Sequence, residues 1–278
     1  MMLVTRATEQ VLEKVKGDRA FFDGLGKSYL PDSSVQVTEE LIEGVSTYWF
    51  TPDKYDHNRI VLYLHGGMFG LGSIHSHRAM VSHFATALSS KILFIEYALS
   101  PEHPFPSGLN DVVKVYQHLL RTNTSAIISV IGDSAGGGLS VSFIHALLQQ
   151  QVPLPAHVVL ISPWLNLTCD TNAYQTRFDP ILNREMLMEY AAYYAPDNLG
   201  GADPGQLPFA IFPPLFILVG SNEILFDDSK LFFEKIRQIQ PRTRMKEYMD
   251  QTHVWLLTDI ASASAQTALA DMKEFLSE

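Results

Sequence analysis

Cysteine is nearly missing from this chain: Cys169 is the single one in 278 residues. A lone thiol cannot close an internal disulfide, so a small disulfide-stapled scaffold is excluded. The shortage suits a reducing compartment. Basic residues are also scarce. Twenty Lys and Arg stand against thirty Asp and Glu, for a formal net charge of −10. That balance argues against a nucleic-acid partner, which would need a basic face to meet phosphates, and against docking on anionic lipid. Long apolar runs are absent as well. The longest, such as 211–219, contain prolines and are too short to cross a bilayer. The N-terminal stretch carries Arg6, Glu9, Glu13, Lys14 and Lys16 without an apolar core, so it does not read as a signal peptide. No internal repeat or low-complexity segment is visible, which excludes a solenoid. The expectation is a soluble, cytosolic protein.

What is present is an ordinary globular composition, 46% hydrophobic and 18% charged, long enough to bury one large core. Strand-length runs apolar at nearly every position occur at 59–64, 91–97, 126–131, 157–162 and 215–220. Such runs suit strands buried on both faces of a parallel sheet. Helical patterns lie between them at about 76–88, 108–120, 135–150 and 227–239. The alternation predicts one doubly wound α/β domain over 1–278. Two stretches break the rhythm: residues 1 to about 40, charged and helical, and about 168–210, with a helical pattern at 183–194. An insertion after a sheet strand lies at the carboxyl ends of the strands, where such sheets place their sites, so both are read as a cap.

The strongest local signal is Gly132-Asp133-Ser134-Ala135-Gly136, set between a buried strand and a helix. This is the context a G-x-S-x-G nucleophile turn requires. Serine on a sharp turn leaves no room for side chains two positions away, and glycine removes them. A serine hydroxyl needs a base. In this motif's chain order the acid and then the histidine follow the serine. Ten histidines are present, but only His253 lies after position 157, just past a polar segment that ends the last strand. The acid must hold the imidazole by its other nitrogen. After the run at 215–220, Glu223 is the first carboxylate and Asp227 the next. Asp227 and Asp228 also suit the start of a helix, where Asp caps, so Glu223 is preferred and Asp227 stays open. His65-Gly66-Gly67-Met68 follows a buried strand directly. Its glycines let backbone amides approach a substrate, so Gly66, Gly67 and Ala135 are the expected oxyanion donors, with His65 ordering the loop.

With these pieces placed, the chain resembles the hormone-sensitive-lipase-like carboxylesterases of the α/β-hydrolase superfamily, from about residue 35 to the end. HGGMFGLGS at 65–73 is similar to the family's His-Gly-Gly-Gly segment, with Met68 in place of the third glycine. YALSPEHPFP at 97–106 is similar to its Tyr-Arg-Leu-Ala-Pro-Glu-His stretch, departing at Ala98 and Ser100. GDSAGG at 132–137 matches fully, and SPWLNL at 162–167 and FDPIL at 178–182 also fit. The family's Gly-x-x-Asp-Pro-Leu-x-Asp appears as GSNEILFD, placing Glu223 at the aspartate and Ile224 at the proline. Thirty residues separate Glu223 from His253, which fits the family spacing, whereas the twenty-six from Asp227 are short. The resemblance implies an α/β-hydrolase fold with a small helical cap, no cofactor, and hydrolysis of small, short-acyl esters. It leaves a homodimer open.

His75 and His77 stand two apart, which on a helix points them to different faces, and no third ligand accompanies them, so no metal site is expected. Glu102 and His103 would brace the site's floor. Tyr190, Tyr193, Tyr194, Trp164 and Phe178 would line an apolar pocket or simply pack the core. A non-catalytic binding protein on this fold is the rival reading; it would lack the base, and His253 is present. Amide or lactone hydrolysis would use the same residues.

Overall fold

The computed structural model describes residues 8–278. In chain order it comprises α1 (Glu9–Asp23), β1 (Val35–Ile42), β2 (Val45–Pro52), β3 (Arg59–Leu64), α2 (Ile74–Ala87), β4 (Lys91–Ile95), α3 (Ser107–Thr122), β5 (Ile127–Asp133) and α4 (Ala135–Gln149). There follow β6 (Val158–Ile161), α5 (Ala173–Thr176), α6 (Arg184–Tyr194), α7 (Leu199–Ala202), β7 (Leu215–Asn222), α8 (Phe226–Ile236), β8 (Thr243–Thr252) and α9 (Ala263–Leu276). The strands form one sheet in the order β1-β2-β4-β3-β5-β6-β7-β8.

From β4 to β8 every neighbouring pair is parallel, and β1 and β2 add antiparallel partners at one edge. The five central runs became strands because their side chains are buried on both faces, as in β3 and β6. Helices cover both faces and enclose two hydrophobic clusters. The chain leaves β3 for β4 on one side and returns to β5 on the other. The switch point therefore falls between these strands, where a crevice opens beyond the carboxyl ends. Leu64 pairs with Gly132 across that point, which sets the loop after β3 beside the turn after β5.

Two parts of the sheet differ from expectation. The cap was expected to run from residue 1 to about 40, but residues 35–40 pair with β2. Glu43 and Gly44, both at positive φ, close this hairpin as a two-residue turn. The segment hid because an edge strand buries few of its side chains, so VQVTEELI carries no continuous apolar run. β8 is the opposite edge, ten residues long with a single buried side chain; only its end, the polar segment before His253, was expected as strand. Residues 1–7 of the expected cap lie outside the described residues. The helix expected at 183–194 forms as α6, with Asn183 accepting a hydrogen bond from the Met186 amide at its start. Among the described residues no helix is long and apolar enough to cross a membrane.

Candidate active site

Ser134 occupies the turn between β5 and α4 at φ 51° and ψ −121°. A non-glycine residue in this region is strained and persists only where its surroundings over-determine it. Here the Ser134 amide donates to Ile161 O at 2.9 Å, and its carbonyl accepts from the Trp164 and Gly138 amides at 2.9 and 3.2 Å. The flanking glycines are sterically required. A Cβ at Gly132 would meet the Gly136 carbonyl and Ser140 Oγ, and one at Gly136 would strike the Leu64 carbonyl.

His253 follows β8 directly. Its Nε2 lies 2.9 Å from Ser134 Oγ and its Nδ1 lies 3.1 Å from Glu223 Oε2. The three side chains thus form one hydrogen-bonded chain, with Ser134 only 5% and Glu223 0% exposed. Glu223 is itself held, because its Oε1 accepts from Ser162 Oγ at 2.7 Å and from the Gly220 amide at 2.5 Å. Ser162 also accepts from the Val254 amide at 3.2 Å, which ties the support of Glu223 to the residue after His253. Burial disfavours the charged His253 ring, but the hydrogen bond and charge of Glu223 outweigh it, and the pKa is raised above the ordinary value.

Asp227 does not reach the histidine. Its Oδ2 accepts from the Ala173 amide at 3.0 Å. Asp228 accepts from the Leu165 and Asn166 amides and from Tyr174 OH, and burial pushes its carboxyl up to about 8. Both carboxyl groups fasten residues 165–174 to α8.

The loop after β3 departs from expectation at one residue. The Gly66 amide was expected to face substrate, but it donates to Asp133 Oδ1 at 3.0 Å. Asp133 is wholly buried, also accepts from Tyr63 OH at 2.7 Å, and has His77 Nε2 at 3.4 Å. Burial opposes its ionisation, but His77 and the hydrogen bonds prevail and hold its pKa below the usual value. The amides of Gly67, Met68 and Ala135 have no acceptor among the described residues. Gly67 and Met68 line the same cavity as Ser134 and His253.

That cavity is about 490 Å³ and mostly apolar. Phe21, Phe22 and Leu25 from the α1 end and Met186 and Tyr190 from α6 face Leu257 of the body across it. Of the five aromatic residues expected there, only Tyr190 lines it. Trp164 and Tyr194 are buried in the core, Tyr193 bonds Glu189, and Phe178 points to solvent. Nothing local in the sequence marks the N-terminal contributors, because Phe21, Phe22 and Leu25 align with the cavity only once α1 docks.

The remaining singled-out residues also find places. His65 bonds the Gly66 carbonyl and stacks between Phe94 and Tyr97, ordering its loop; burial pushes its pKa down to about 3. Glu102 pairs with Arg19 of α1 rather than supporting the floor alone. His77 faces Asp133 while His75 is exposed. Among the described residues no group of three His, Cys, Asp or Glu side chains is placed to hold a metal ion.

Comparison with known proteins fits this geometry. Residues 61–257 match the alpha/beta hydrolase fold family. An esterase from Acinetobacter venetianus is 33% identical over 224 residues, covering 78% of this chain and 74% of that protein. An acetyl-hydrolase from Streptomyces hygroscopicus is 36% identical over 218 residues, covering 74% of this chain and 71% of its own length. The crystal structure of an esterase from the bacterial hormone-sensitive lipase family superposes with a TM-score of 0.89 at 32% identity, covering 94% of this chain and 90% of that one. Fold and site together define an α/β-hydrolase. Within that class the chain belongs to the hormone-sensitive-lipase-like carboxylesterases, a family of carboxylic-ester hydrolases.

Proposed function

We propose that this protein hydrolyses small, short-acyl carboxylic esters through a Ser134–His253–Glu223 triad and an acyl-enzyme. The observation that carries the reading is the unbroken chain from Glu223 through His253 to Ser134 Oγ, opening into an apolar cavity. Ser134 Oγ attacks the ester carbonyl carbon while His253 Nε2 takes its proton. Glu223 keeps the Nδ1 proton in place and stabilises the imidazolium. The tetrahedral oxyanion is met by the amides of Gly67, Met68 and Ala135, Met68 replacing Gly66 because the latter is committed to Asp133. His253 returns the proton to the departing alkoxide. Water, activated by the same histidine, then releases the acid. The α1 segment and the 168–210 insertion act as the cap, since both roof the cavity.

Turnover of p-nitrophenyl acetate, butyrate, octanoate and palmitate tests this, with a fluorophosphonate probe located by peptide mass spectrometry. Acetate and butyrate should be turned over best, and the probe should mark Ser134 alone and stop turnover. A folded protein that neither turns over these esters nor takes up the probe would favour the binding-protein reading.

The pH dependence follows from His253. Only the neutral ring accepts a proton, and Glu223 raises its pKa. Activity should therefore be full at alkaline pH and fall as pH drops through a midpoint above about 6.5, the ordinary histidine value. A profile of kcat/KM from pH 5 to 9 checks this; a midpoint below that value would contradict the geometry.

A further inference from the structure

The turn that carries the oxyanion donors is left-handed at three successive residues: Gly67 at φ 114°, Met68 at 54° and Phe69 at 59°. Two of these are not glycine, and such backbone survives only where neighbours restrain it. The restraints are identifiable. The Gly67 carbonyl accepts from the Gly70 and Leu71 amides at 3.0 and 2.7 Å. The Phe69 carbonyl accepts from the Ser100 amide at 2.9 Å and from Ser100 Oγ at 3.1 Å. The Gly70 carbonyl, next in line, is held from outside the body by Arg19 Nε of α1 at 2.8 Å.

The same guanidinium donates to Ser100 O at 3.0 Å and to both Glu102 oxygens at 2.7 Å. One planar, rigid group therefore joins α1, the oxyanion turn and the 98–102 loop that supports it. Lysine, a point charge on a flexible stem, cannot reproduce that fork. The second cap segment presses on the same turn. The Tyr194 ring stacks on Phe69 with centroids 3.8 Å apart, and a Cβ on Gly70 would come within 2.8 Å of the Tyr190 ring.

We infer that Arg19 is a positioning residue for the oxyanion hole, so that docking of the N-terminal helix and alignment of the Gly67 and Met68 amides are one event. This rests on the ester-hydrolase reading above. Arg19 touches no reacting atom; it acts through Gly70 and Ser100. Its loss should weaken binding of the tetrahedral oxyanion more than binding of the ester, because only the former needs the aligned amides.

The test compares wild type with Arg19→Lys and Glu102→Gln, using p-nitrophenyl butyrate and a trifluoromethyl ketone that forms a tetrahedral adduct with Ser134. Arg19→Lys keeps a charge opposite Glu102 but loses the fork. It should lower kcat by about 10–100-fold with KM within about twofold, against the ~10²–10³ loss typical of deleting a donor outright. Its Ki for the ketone should rise by about the same factor as kcat/KM falls. Glu102→Gln leaves both carbonyl contacts of Arg19 and should cost less than about fivefold. Arg19→Gln is read by the same two measures if the lysine variant does not fold. The inference is overturned if the folded variant keeps wild-type kcat, or if kcat falls while the ketone Ki stays constant. A wild type that neither hydrolyses the ester nor binds the ketone would instead sink the ester-hydrolase reading itself.

Discussion

Replacing Ser134 with alanine is expected to lower kcat for p-nitrophenyl butyrate by about 10⁴–10⁶-fold, close to the loss from removing a whole triad. The reason is chemical rather than structural. Alanine keeps the Cβ and therefore the backbone at φ 51°, and the bonds that hold the turn run through the main chain to Ile161, Trp164 and Gly138. Only Oγ is lost, with its 2.9 Å contact to His253. Stability should change by no more than about 1 kcal/mol, the usual worth of one hydrogen bond. Residual turnover would come from the oxyanion donors and substrate binding alone. Steady-state kinetics beside a thermal melt decides it. Equal turnover by both proteins would mean that another group is the nucleophile.

Glu223→Gln should cost about 10⁴-fold in kcat with little change in KM, and the arrangement around the carboxylate says why. Oε1 receives two donors, Ser162 Oγ and the Gly220 amide. In the variant the amide oxygen must take that place, which turns the NH₂ group toward His253 Nδ1. The ring can then meet a donor there only by carrying its proton on Nε2, where it cannot accept from Ser134. Asp227→Asn makes the contrast, because its carboxylate meets the Ala173 amide and not the triad. That variant should stay within about threefold of wild-type kcat, in the range of changes that leave the catalytic unit intact. Loss in Asp227→Asn with retention in Glu223→Gln would reverse the assignment of the acid.

The central strands were legible because each is buried on both faces, and burial on both faces leaves an unbroken apolar run, as in RIVLYL and LFILVG. The turn at Ser134 was legible because its sterics demand glycine on either side, so the demand is written into nearby positions. Edge strands were legible only in part, the end of β8 but not β1, because each has a neighbour on one side only and buries a single side chain. Nor was the hydrogen bond that holds Glu223 legible. Ser162 stands in a stretch similar to a family pattern, yet nothing local shows that its hydroxyl meets a carboxylate 61 residues away.

Sequence alone thus determined the α/β order of the chain and singled out Ser134, His253 and a short choice of carboxylates as candidates, since each follows from local sterics or from chain order. Tertiary structure alone separated Glu223 from Asp227, because both follow β7 in the chain but only Glu223, just past the strand end, meets His253, while Asp227 in α8 meets the Ala173 amide. It alone showed that the Gly66 amide is spent on Asp133, 67 residues away, while the Met68 amide is left without an acceptor among the described residues. It also brought Arg19 onto the Gly70 carbonyl. Backbone amides look alike in a sequence; which of them is free depends on acceptors that only folding brings near.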